Sequence, residues 1–487
     1  MRVSHDRSIF SAWIKRAAAA LVLVVLSGCA VGPNYLRPEA VATPDSYTGA
    51  DVQWKTATPR AHLPKGNWWE IFNDPELNQL EADAAEANQD LKAAAARFEQ
   101  ARAQADVARS GLFPKLGASF LPARQLDSEN RPAGGKPGQT YDSFTVPFDL
   151  SYEIDLWGRV RRTVESAKAQ KEAGADDVES VRLAMQTEVA ADYLSLRALD
   201  ADRALLLSSI AAYRKSLGLV RNRRAGGMVS DLDVAQAETV LKATEALLPD
   251  NALQRTKFQN ALAVLTGKNA SLFRVEERPL DMAPLVIPAG LPSELLERRP
   301  DIAAAERRMA AANANIGVAK AAFFPTIKFN GLAGFQSADV GMLFDWPSRL
   351  WAVGPSLTLP LFQGGQLRAA LRQSKAAYEE TVAKYRATVL TAFADVENNL
   401  SAEHLLAGEY EQELAALQSA RRQLEIANNR YSAGLGTYLD VATAENVVLG
   451  IERTSVRLHG QQLVAAVALI KALGGGWRAP DSIARAP

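Results

Sequence analysis

DLKAAAARFEQARAQADVARSGLFP, at residues 90–114, returns later in the chain as DIAAAERRMAAANANIGVAKAAFFP, at residues 301–325, a numbering offset of 211 (301 − 90). A second pair, LDVAQAE at 232–238 and LDVATAE at 439–445, has an offset of 207 (439 − 232). Two distant matches at nearly one offset indicate that a whole structural unit was duplicated. The repeat therefore predicts two copies of one elongated unit within the 487 residues.

The composition excludes several classes of function. Lys plus Arg and Asp plus Glu both number 55, so no net basic charge favours nucleic acid as a partner. Cys29 is the only cysteine, which rules out an internal disulfide and a cysteine-based metal site. The four histidines lack metal-ligand spacing, and no phosphate-binding loop, dinucleotide fingerprint or nucleophile elbow occurs. We therefore expect no enzymatic activity, no metal and no cofactor.

The segment 1–28 has the pattern of a secretory signal that ends at a lipidation site. Basic side chains precede an apolar run at 17–26, which is too short to cross a bilayer as a permanent helix. The run ends in LSGC, at positions 26–29, which resembles a bacterial lipoprotein box. We predict that cleavage leaves Cys29 as the acylated first residue, which anchors the chain to a membrane. The alternative is a signal peptide that happens to contain a cysteine.

Residues 144–154 alternate between apolar or aromatic side chains and mainly polar ones. Such a period of two, sustained over about eleven residues, suits a tilted strand that crosses a bilayer. The second half repeats the alternation between Trp351 and Leu361, and weaker alternation occurs at 116–120 and 327–335. Asp149, Glu153 and Asp155 share the polar face, and we expect them to line a lumen with negative potential. A half-buried strand of a soluble protein is the alternative. The predicted strands are at residues 115–126, 141–155, 326–336 and 350–362.

Four strands are too few to close a barrel on their own. No open sheet edge survives in lipid, and bacterial barrels begin at about eight strands. If these strands cross a membrane, several copies of the chain must share one barrel. Two copies would supply about eight strands and three copies about twelve, and the strand pattern does not choose between them.

A long helical stretch without proline follows each strand pair, at Gly158–Asn222 and Gly365–Tyr431. Each has about 65 residues, or roughly 100 Å of continuous helix. In the second stretch, apolar positions between Leu367 and Leu400 follow steps of 4, 3 and 4, an eleven-residue repeat. This repeat favours nearly straight helices that pack side by side around a cylinder. A two-stranded coiled coil or a helix bundle is the alternative.

A glycine-containing turn joins each long helix to a returning helix. Gly226 and Gly227 in the first turn, and Gly434 and Gly436 in the second, permit a left-handed helix end. This structural role accounts for the glycines, and a functional role needs a further observation. Pro249 interrupts the first returning helix, whereas the equivalent position 456 is a valine. The two halves are therefore expected to bend differently there.

Six segments, in this order, resemble the outer membrane factors of tripartite efflux systems, the TolC/OprM-like group, and most closely its lipoprotein branch. Together they run across nearly the whole chain that follows the signal. They are GCAVGPNYLRP at 28–38, WWEIFNDPELN at 68–78, YEIDLWGR at 152–159, LPSELLERRPDI at 291–302, LFQGG at 361–365 and TYLDV at 437–441.

The resemblance implies a mostly α-helical protein that forms a homotrimer. Three copies would build a twelve-stranded transmembrane β-barrel in the outer membrane, continued by a periplasmic α-helical barrel. Such a duct passes drugs and other small toxic molecules outward. The implied partners are outer-membrane lipid, a periplasmic adaptor protein and a proton-driven inner-membrane pump. The two glycine turns would contact the adaptor and close the duct.

The resemblance also suggests where a gate lies. Family members often carry an acidic residue one turn after the Tyr-Leu pair of the second turn, and here that position is Thr443. We hypothesise that rings of Asp440, Asp231 or Asp233, with Leu439 as an apolar constriction, form the gate and favour cations. The alternative is that Asp231 and Asp233 only stabilise a helix N-terminus.

Two other functions compete with the efflux duct. One is a TolC-like exit duct for type I protein secretion, and the other is a structural periplasmic lipoprotein with a coiled coil and soluble strands. The expected organisation is a signal peptide at 1–28, a lipidated equatorial segment at 29–75, a first repeat at 76–266, an equatorial linker at 267–291, a second repeat at 292–473 and a tail at 474–487.

Overall fold

The structure is a computed structural model that describes residues 30–36, 66–130, 138–280, 282 and 299–475. The predicted signal peptide, Cys29, residues 37–65 and the tail beyond 475 lie outside the described residues, as do most positions between 281 and 298.

Contacts divide the chain into two compact units. We name the first the sheet unit, and it contains the described residues within Met1–Glu39, Phe98–Gly174 and Ala305–Tyr385. We name the second the helical unit, and it contains the described residues within Ala40–Arg97, Ala175–Ala304 and Arg386–Pro487.

Both halves of the chain follow the order helix, strands, long helix and returning helix. The first half has α1 (Pro75–Ala87), α2 (Gln89–Ser110), β1 (Lys115–Ala118), β2 (Leu121–Leu126), β3 (Thr140–Ile154), α3 (Arg159–Ala225), α4 (Asp231–Glu245) and α5 (Leu247–Leu265). The second half has α6 (Pro300–Ala321), β4 (Thr326–Ser337), β5 (Arg349–Thr358), α7 (Gln366–Ser432) and α8 (Tyr438–Ala472). Short 3-10 helices occur at Trp68–Phe72, Val340–Met342 and Trp346–Ser348.

The long helices confirm the prediction made from the absence of proline. Helices α3 and α7 have 67 residues each. Along α7 the positions of the eleven-residue repeat are partly or fully buried, and Tyr385, Val389 and Val396 are buried almost completely. The repeat therefore marks the face by which α7 packs against the rest of the chain.

The returning helices differ between the halves. In the first half the helix breaks at Ala246 into α4 and α5, and Pro249 lies in the first turn of α5. Proline has no N–H to donate to the preceding turn and its ring clashes with that turn. Helix α8 instead runs for 35 residues without a break. The first returning helix is therefore interrupted near Pro249, whereas the second is continuous at the equivalent position.

The sheet is antiparallel in the order β1–β3–β4–β5, and β2 pairs with β3 beyond the end of β1. Strands β1 and β2 pair with β3 in the same register, because Ala118 is opposite Phe148 and Leu121 is opposite Thr145. They therefore act as one interrupted edge strand, which we call the β1–β2 path. Within the described residues, the free edges of the sheet are this path on one side and β5 on the other.

Two of the predicted strands differ in extent from those in the structure. The expected strand 115–126 is interrupted between Ala118 and Leu121, where Ser119 donates to the carbonyl of Pro147 at 3.2 Å. Pro147 has no N–H to return the second bond of that pair. The expected strand 350–362 ends at Thr358, which is opposite Thr326, the first residue of β4. Residues 359–362 therefore have no partner on β4.

One face of the sheet is apolar and exposed. Leu116, Leu150 and Val353 occupy one row across it, and Phe148 and Trp351 occupy the next. Leu116, Trp351 and Val353 are 74%, 73% and 59% exposed. Large apolar side chains this accessible, and this numerous on one face, indicate that another apolar phase covers them.

The opposite face of the sheet is polar. Asn330 donates to the hydroxyl of Ser356 at 2.9 Å and lies next to the hydroxyl of Ser151 at 3.4 Å. Glu153 pairs in register with Lys328. The two faces therefore have the composition that the period-two pattern predicts.

The helical unit is built on a buried apolar core with an ion network at its edge. Trp68, Leu77 and Leu194 belong to the core. Arg197 is 1% exposed and donates to Asp200 at 2.8 Å, and it also contacts Glu76 at the start of α1. A buried charge is tolerated only when it is paired in this way. The network therefore fixes α1 against α3.

Gly334 allows the close pairing of β3 and β4. A Cβ at Gly334 would lie 2.1 Å from the carbonyl oxygen of Val146. We expect Gly334→Ala to lower the free energy of unfolding by about 1–3 kcal/mol, because the backbone must move to relieve the overlap. Gly354→Ala is the matched control, since a Cβ there meets nothing within 4 Å. Thermal unfolding midpoints of the two purified variants test this, and equal midpoints would contradict it.

Candidate functional site

The two glycine turns have the same geometry. Gly227 and Gly434 are left-handed, with φ of 70° and 74°. Each lies just after the end of a long helix. In the first turn the backbone N–H of Met228 donates to the carbonyl of Arg223, and in the second turn that of Leu435 donates to the carbonyl of Arg430. Alanine at these positions would be strained, whereas Gly226 and Gly436 do not have positive φ.

The acidic side chains of the proposed gate all have local partners. Asp231 is bound by Arg224 at 2.6 Å, and that hydrogen bond holds the pKa of Asp231 below its usual value. Asp233 completes a capping box with Ser230, and this hydrogen bond lowers the pKa of Asp233. The backbone N–H of Thr437 lowers the pKa of Asp440 in the same manner. These carboxylates therefore stabilise helix starts while remaining charged.

Apolar side chains stand exposed at both turns. Leu439 is 55% exposed, and its counterpart Leu232 is 66% exposed. Met228 and Leu435 are also counterparts in the two turns, and both are 71% exposed. Of these four side chains, the family resemblance indicates only Leu439. The repeat offset between the two LDVA motifs identifies Leu232 as the counterpart of Leu439 and Met228 as the counterpart of Leu435.

The α7–α8 turn is held against α3 by a set of contacts that the sequence did not predict. Arg223 donates to the carbonyls of Tyr431 and Ser432 at 3.0 and 3.2 Å, and its guanidinium lies over the Tyr431 ring. The hydroxyl of Tyr438 lies 3.2 Å from that of Ser216. Helix α7 therefore ends in carbonyls that are satisfied by a cation from another helix. We name these contacts the turn clasp.

Glu445 lies buried behind the turn clasp. Its carboxylate is 3.5 Å from the hydroxyl of Tyr438, and its carbonyl accepts from Tyr213 at 3.1 Å. Burial raises the pKa of Glu445 to about 7 and that of Tyr438 to about 12. The carboxyl group is therefore close to half-protonated at neutral pH.

The predicted lumen acids are arranged differently from each other. Asp149 lies on the polar face of β3, opposite Gly117 and Leu332. Glu153 is bound by Arg159 through two bonds at 2.6 and 2.8 Å. Asp155 follows the end of β3 and accepts from the first backbone N–H groups of α3, so it caps that helix. Part of the expected negative charge is therefore neutralised beside the strand end.

The described part of segment 29–38 lies in the sheet unit. The N–H of Val31 donates to the carbonyl of Trp157 at 3.0 Å, and Asn34 accepts from Arg162 at 2.8 Å. A Cβ at Gly158 would lie 2.8 Å from Ala30. Cys29 is outside the described residues, but its neighbour Ala30 is held where β3 passes into α3.

No group of three or more His, Cys, Asp and Glu side chains in the described part of the chain could hold a metal ion. Among the described helices, none is both long and apolar enough to cross a membrane.

A family model described as "Outer membrane efflux protein" matches the chain twice, over residues 80–268 and 291–475. The starts of the two matches, at 80 and 291, and their ends, at 268 and 475, are separated by the same two offsets as the internal repeat. Most of the described chain falls within these matches.

Curated relatives and solved structures are similar over most of their length. The chain is 34% identical to the outer membrane protein OprJ of Pseudomonas aeruginosa, over 94% of this chain and 95% of OprJ. It is also 34% identical to the toluene efflux pump outer membrane protein TtgF of Pseudomonas putida, over 95% of this chain and 97% of TtgF. The solved outer-membrane channel OprN superposes with a TM-score of 0.84 at 30% identity, over 92% of this chain and 100% of OprN.

The buried carboxyl of Glu445 predicts a pH-dependent stability. Its pKa rises from 4.5 to about 7 on folding, so the folded chain binds the extra proton between these values. Stability should therefore fall as pH rises through that window. We expect Glu445→Gln to raise the unfolding midpoint at about pH 8 and to change it little at about pH 4.5. Glu425→Gln, at an exposed position of α7, is the control. A Glu445→Gln effect that is the same at both pH values would contradict the assignment.

Proposed function

This chain belongs to the outer membrane efflux protein family, and we propose that it works as a trimeric exit duct driven by a proton-coupled inner-membrane pump through a periplasmic adaptor. The chain is an outer-membrane channel protein of an efflux system. The trimer, the adaptor, the pump and the individual site residues are the parts that we propose.

The observation that supports a shared barrel is the pair of free sheet edges beside an exposed apolar face, and the number of three copies is what the family resemblance implies. In a bilayer core, unpaired backbone N–H and C=O groups each cost several kcal/mol. The outer edge of β1 and β2 and the outer edge of β5 therefore need partners, and another copy of the chain supplies them. Four strand paths in each of three copies give the twelve strands that we propose.

Exposed apolar side chains on the long helices support the same assembly. Leu207 and Leu219 on α3, and Leu390, Leu405 and Leu414 on α7, are all substantially exposed. A continuous helical wall formed with neighbouring copies would cover them. We propose that α3 and α7 form this wall in the periplasm.

The position of Ala30 supports lipid anchoring at Cys29. Ala30 lies against Gly158, at the sheet end where β3 passes into α3. We propose that this end faces the periplasm, because the long helices begin there. An acyl chain on Cys29 would then enter the inner leaflet of the outer membrane beside the barrel.

The exposed turns are our candidates for the adaptor contact and the gate. Their apolar side chains, Leu439 and its counterpart Leu232 among them, suit a partner that caps the helical tips. Asp440, Asp231 and Asp233 keep their charge at helix starts, so each would form a ring of three carboxylates in a trimer. Such rings favour cations, and the leucines would narrow the opening.

Two alternatives remain distinguishable by experiment. A secretion duct would share the architecture but would be served by a different pump. A structural lipoprotein spacer would need soluble strands, and the exposure of Trp351 and Leu116 argues against that. We propose export of small apolar molecules, and the toluene pump relative TtgF supports this cargo class.

The efflux function is tested in a strain that lacks its own outer-membrane efflux channels. The chain is expressed there together with candidate adaptor and inner-membrane pump proteins from the same genome. We expect lower accumulation of a fluorescent hydrophobic dye, and Gly354→Ala as a neutral control should behave like the parent chain. Dye accumulation equal to that of the empty strain, with the protein present in the outer membrane, would contradict the proposal.

The gate is tested by single-channel recording in planar bilayers. We expect Leu439→Ala to raise the conductance, because a smaller side chain widens the constriction. Asp440→Asn keeps an acceptor for Thr437 and removes the charge, so it should lower the preference for cations. Gln412→Ala, which is exposed on α7 away from the turn, is the control. Unchanged conductance and unchanged selectivity in both turn variants would remove these residues from the gate.

A further inference from the structure

The loop between β4 and β5, residues 338–348, exposes a cluster of large apolar side chains. Val340, Met342, Phe344 and Trp346 point outward, and Phe344 and Trp346 are 69% and 72% exposed. We name these four side chains the loop patch. A connecting loop is usually polar, so four exposed apolar side chains so close together in sequence need a partner to cover them.

The loop patch is attached to the apolar face of the sheet and not to the polar face. The Phe344 ring packs edge-on against Phe335, with centroids 5.6 Å apart. The Arg349 guanidinium lies 4.3 Å from the centre of the Trp346 ring and donates to the Trp346 carbonyl at 2.8 Å. Phe335 and Arg349 pair with each other across β4 and β5, two positions from the pair of Ala333 and Trp351. Since side chains alternate along a strand, Phe335, Arg349 and Trp351 share one face.

The loop is held in a defined shape, so the patch is presented without further ordering. Leu343 is 2% exposed and anchors the loop from within. The carboxylate of Asp339 accepts from Gly341 at 2.9 Å, and Ser348 donates to the carbonyl of Met342 at 2.7 Å. A pre-formed surface loses little conformational entropy when it is covered.

The equivalent loop of the first repeat lacks this character. Residues 127–139 read DSENRPAGGKPGQ and contain no aromatic residue and no Val, Leu, Ile or Met. Both loops connect strands at the sheet end remote from the long helices. Crossing that end of the sheet therefore does not itself require apolar side chains, and the loop patch has a separate role.

We propose that the loop patch is a membrane anchor that inserts into the outer leaflet at the level of the lipid headgroups. This inference rests on the proposed function, which places the apolar sheet face in lipid and this end of the sheet at the cell surface. Aromatic side chains are favoured at such interfaces, and the patch continues the lipid-facing surface beyond the strand ends. The loop contains Asp339 and Asp345 beside Arg349, so apolar insertion and not charge attraction supplies the binding.

The anchor gives the barrel a fixed depth in the bilayer. The proposed lipid on Cys29 acts at the opposite end of the same sheet. In a trimer the loop patch occurs three times around the rim and alternates with the polar loop of the first repeat. The three loop patches therefore insert into the membrane, and the three polar loops between them lie in water.

The test is quenching of tryptophan fluorescence in bilayers of brominated phosphatidylcholine. The full-length protein is reconstituted, and the contribution of each site is the difference between the parent and Trp346→Phe or Trp351→Phe. We expect the fluorescence of Trp346 to be quenched most strongly by lipids that carry bromine close to the headgroup. The fluorescence of Trp351 should be quenched by lipids that carry bromine deeper in the acyl chain. Aqueous iodide should quench neither.

A tryptophan in the polar loop is the matched control. Ser128→Trp places the same fluorophore on an exposed residue of the first-repeat loop, where iodide should quench it and brominated lipid should not. Absence of Trp351 quenching by lipid would contradict the proposed function itself. If Trp351 is quenched by lipid but Trp346 is quenched by iodide, the loop lies in water and only the anchor is overturned. Protection of Trp346 from both quenchers would place it against protein, which also overturns the anchor.

Discussion

The hydrogen-bonding demand of two sheet edges is the constraint on which the proposed assembly depends. The sheet ends at the β1–β2 path on one side and at β5 on the other, and its apolar face is exposed in the described chain. Lipid can cover the apolar face but cannot satisfy backbone N–H and C=O groups. Only further strands can do that, and identical copies are the source that needs no other protein. We propose that a shared lumen follows from this requirement, and the number of three copies comes from the family resemblance.

Duplication explains why one chain contains two matching helical hairpins and two similar turns. The left-handed glycines recur at the interval that separates the two LDVA motifs, at Gly227 and Gly434 and again at Gly267 and Gly474. Each closes a helix at an equivalent place, so the two halves present matching helical hairpins. Pro249 is the point at which they differ, because it breaks one returning helix and leaves the other continuous.

Local pattern predicted the architecture well and the tertiary contacts poorly. The period-two alternation and the eleven-residue repeat predicted the faces of β3 and α7, because each depends only on which side of one element is buried. The sequence also predicted the turns but did not separate the left-handed Gly227 from Gly226. It could not predict that Arg223 would bind the end of α7, since the two partners are far apart in the chain and pair only through packing. The alternation includes Asp155 in the strand, whereas in the structure its carboxylate caps α3.

The most direct measurement of the central claim is cross-linking between the two free sheet edges. Cys29 is the only native cysteine, so one cysteine is introduced in β1 and a second in β5, at lipid-facing positions such as Leu116 and Leu357. After oxidation in the membrane, the account predicts bands of one, two and three chains and none larger, because a closed ring of three has no free edge. Either single variant should give no ladder. An open ladder beyond three chains, or a single chain that never cross-links, would contradict the account.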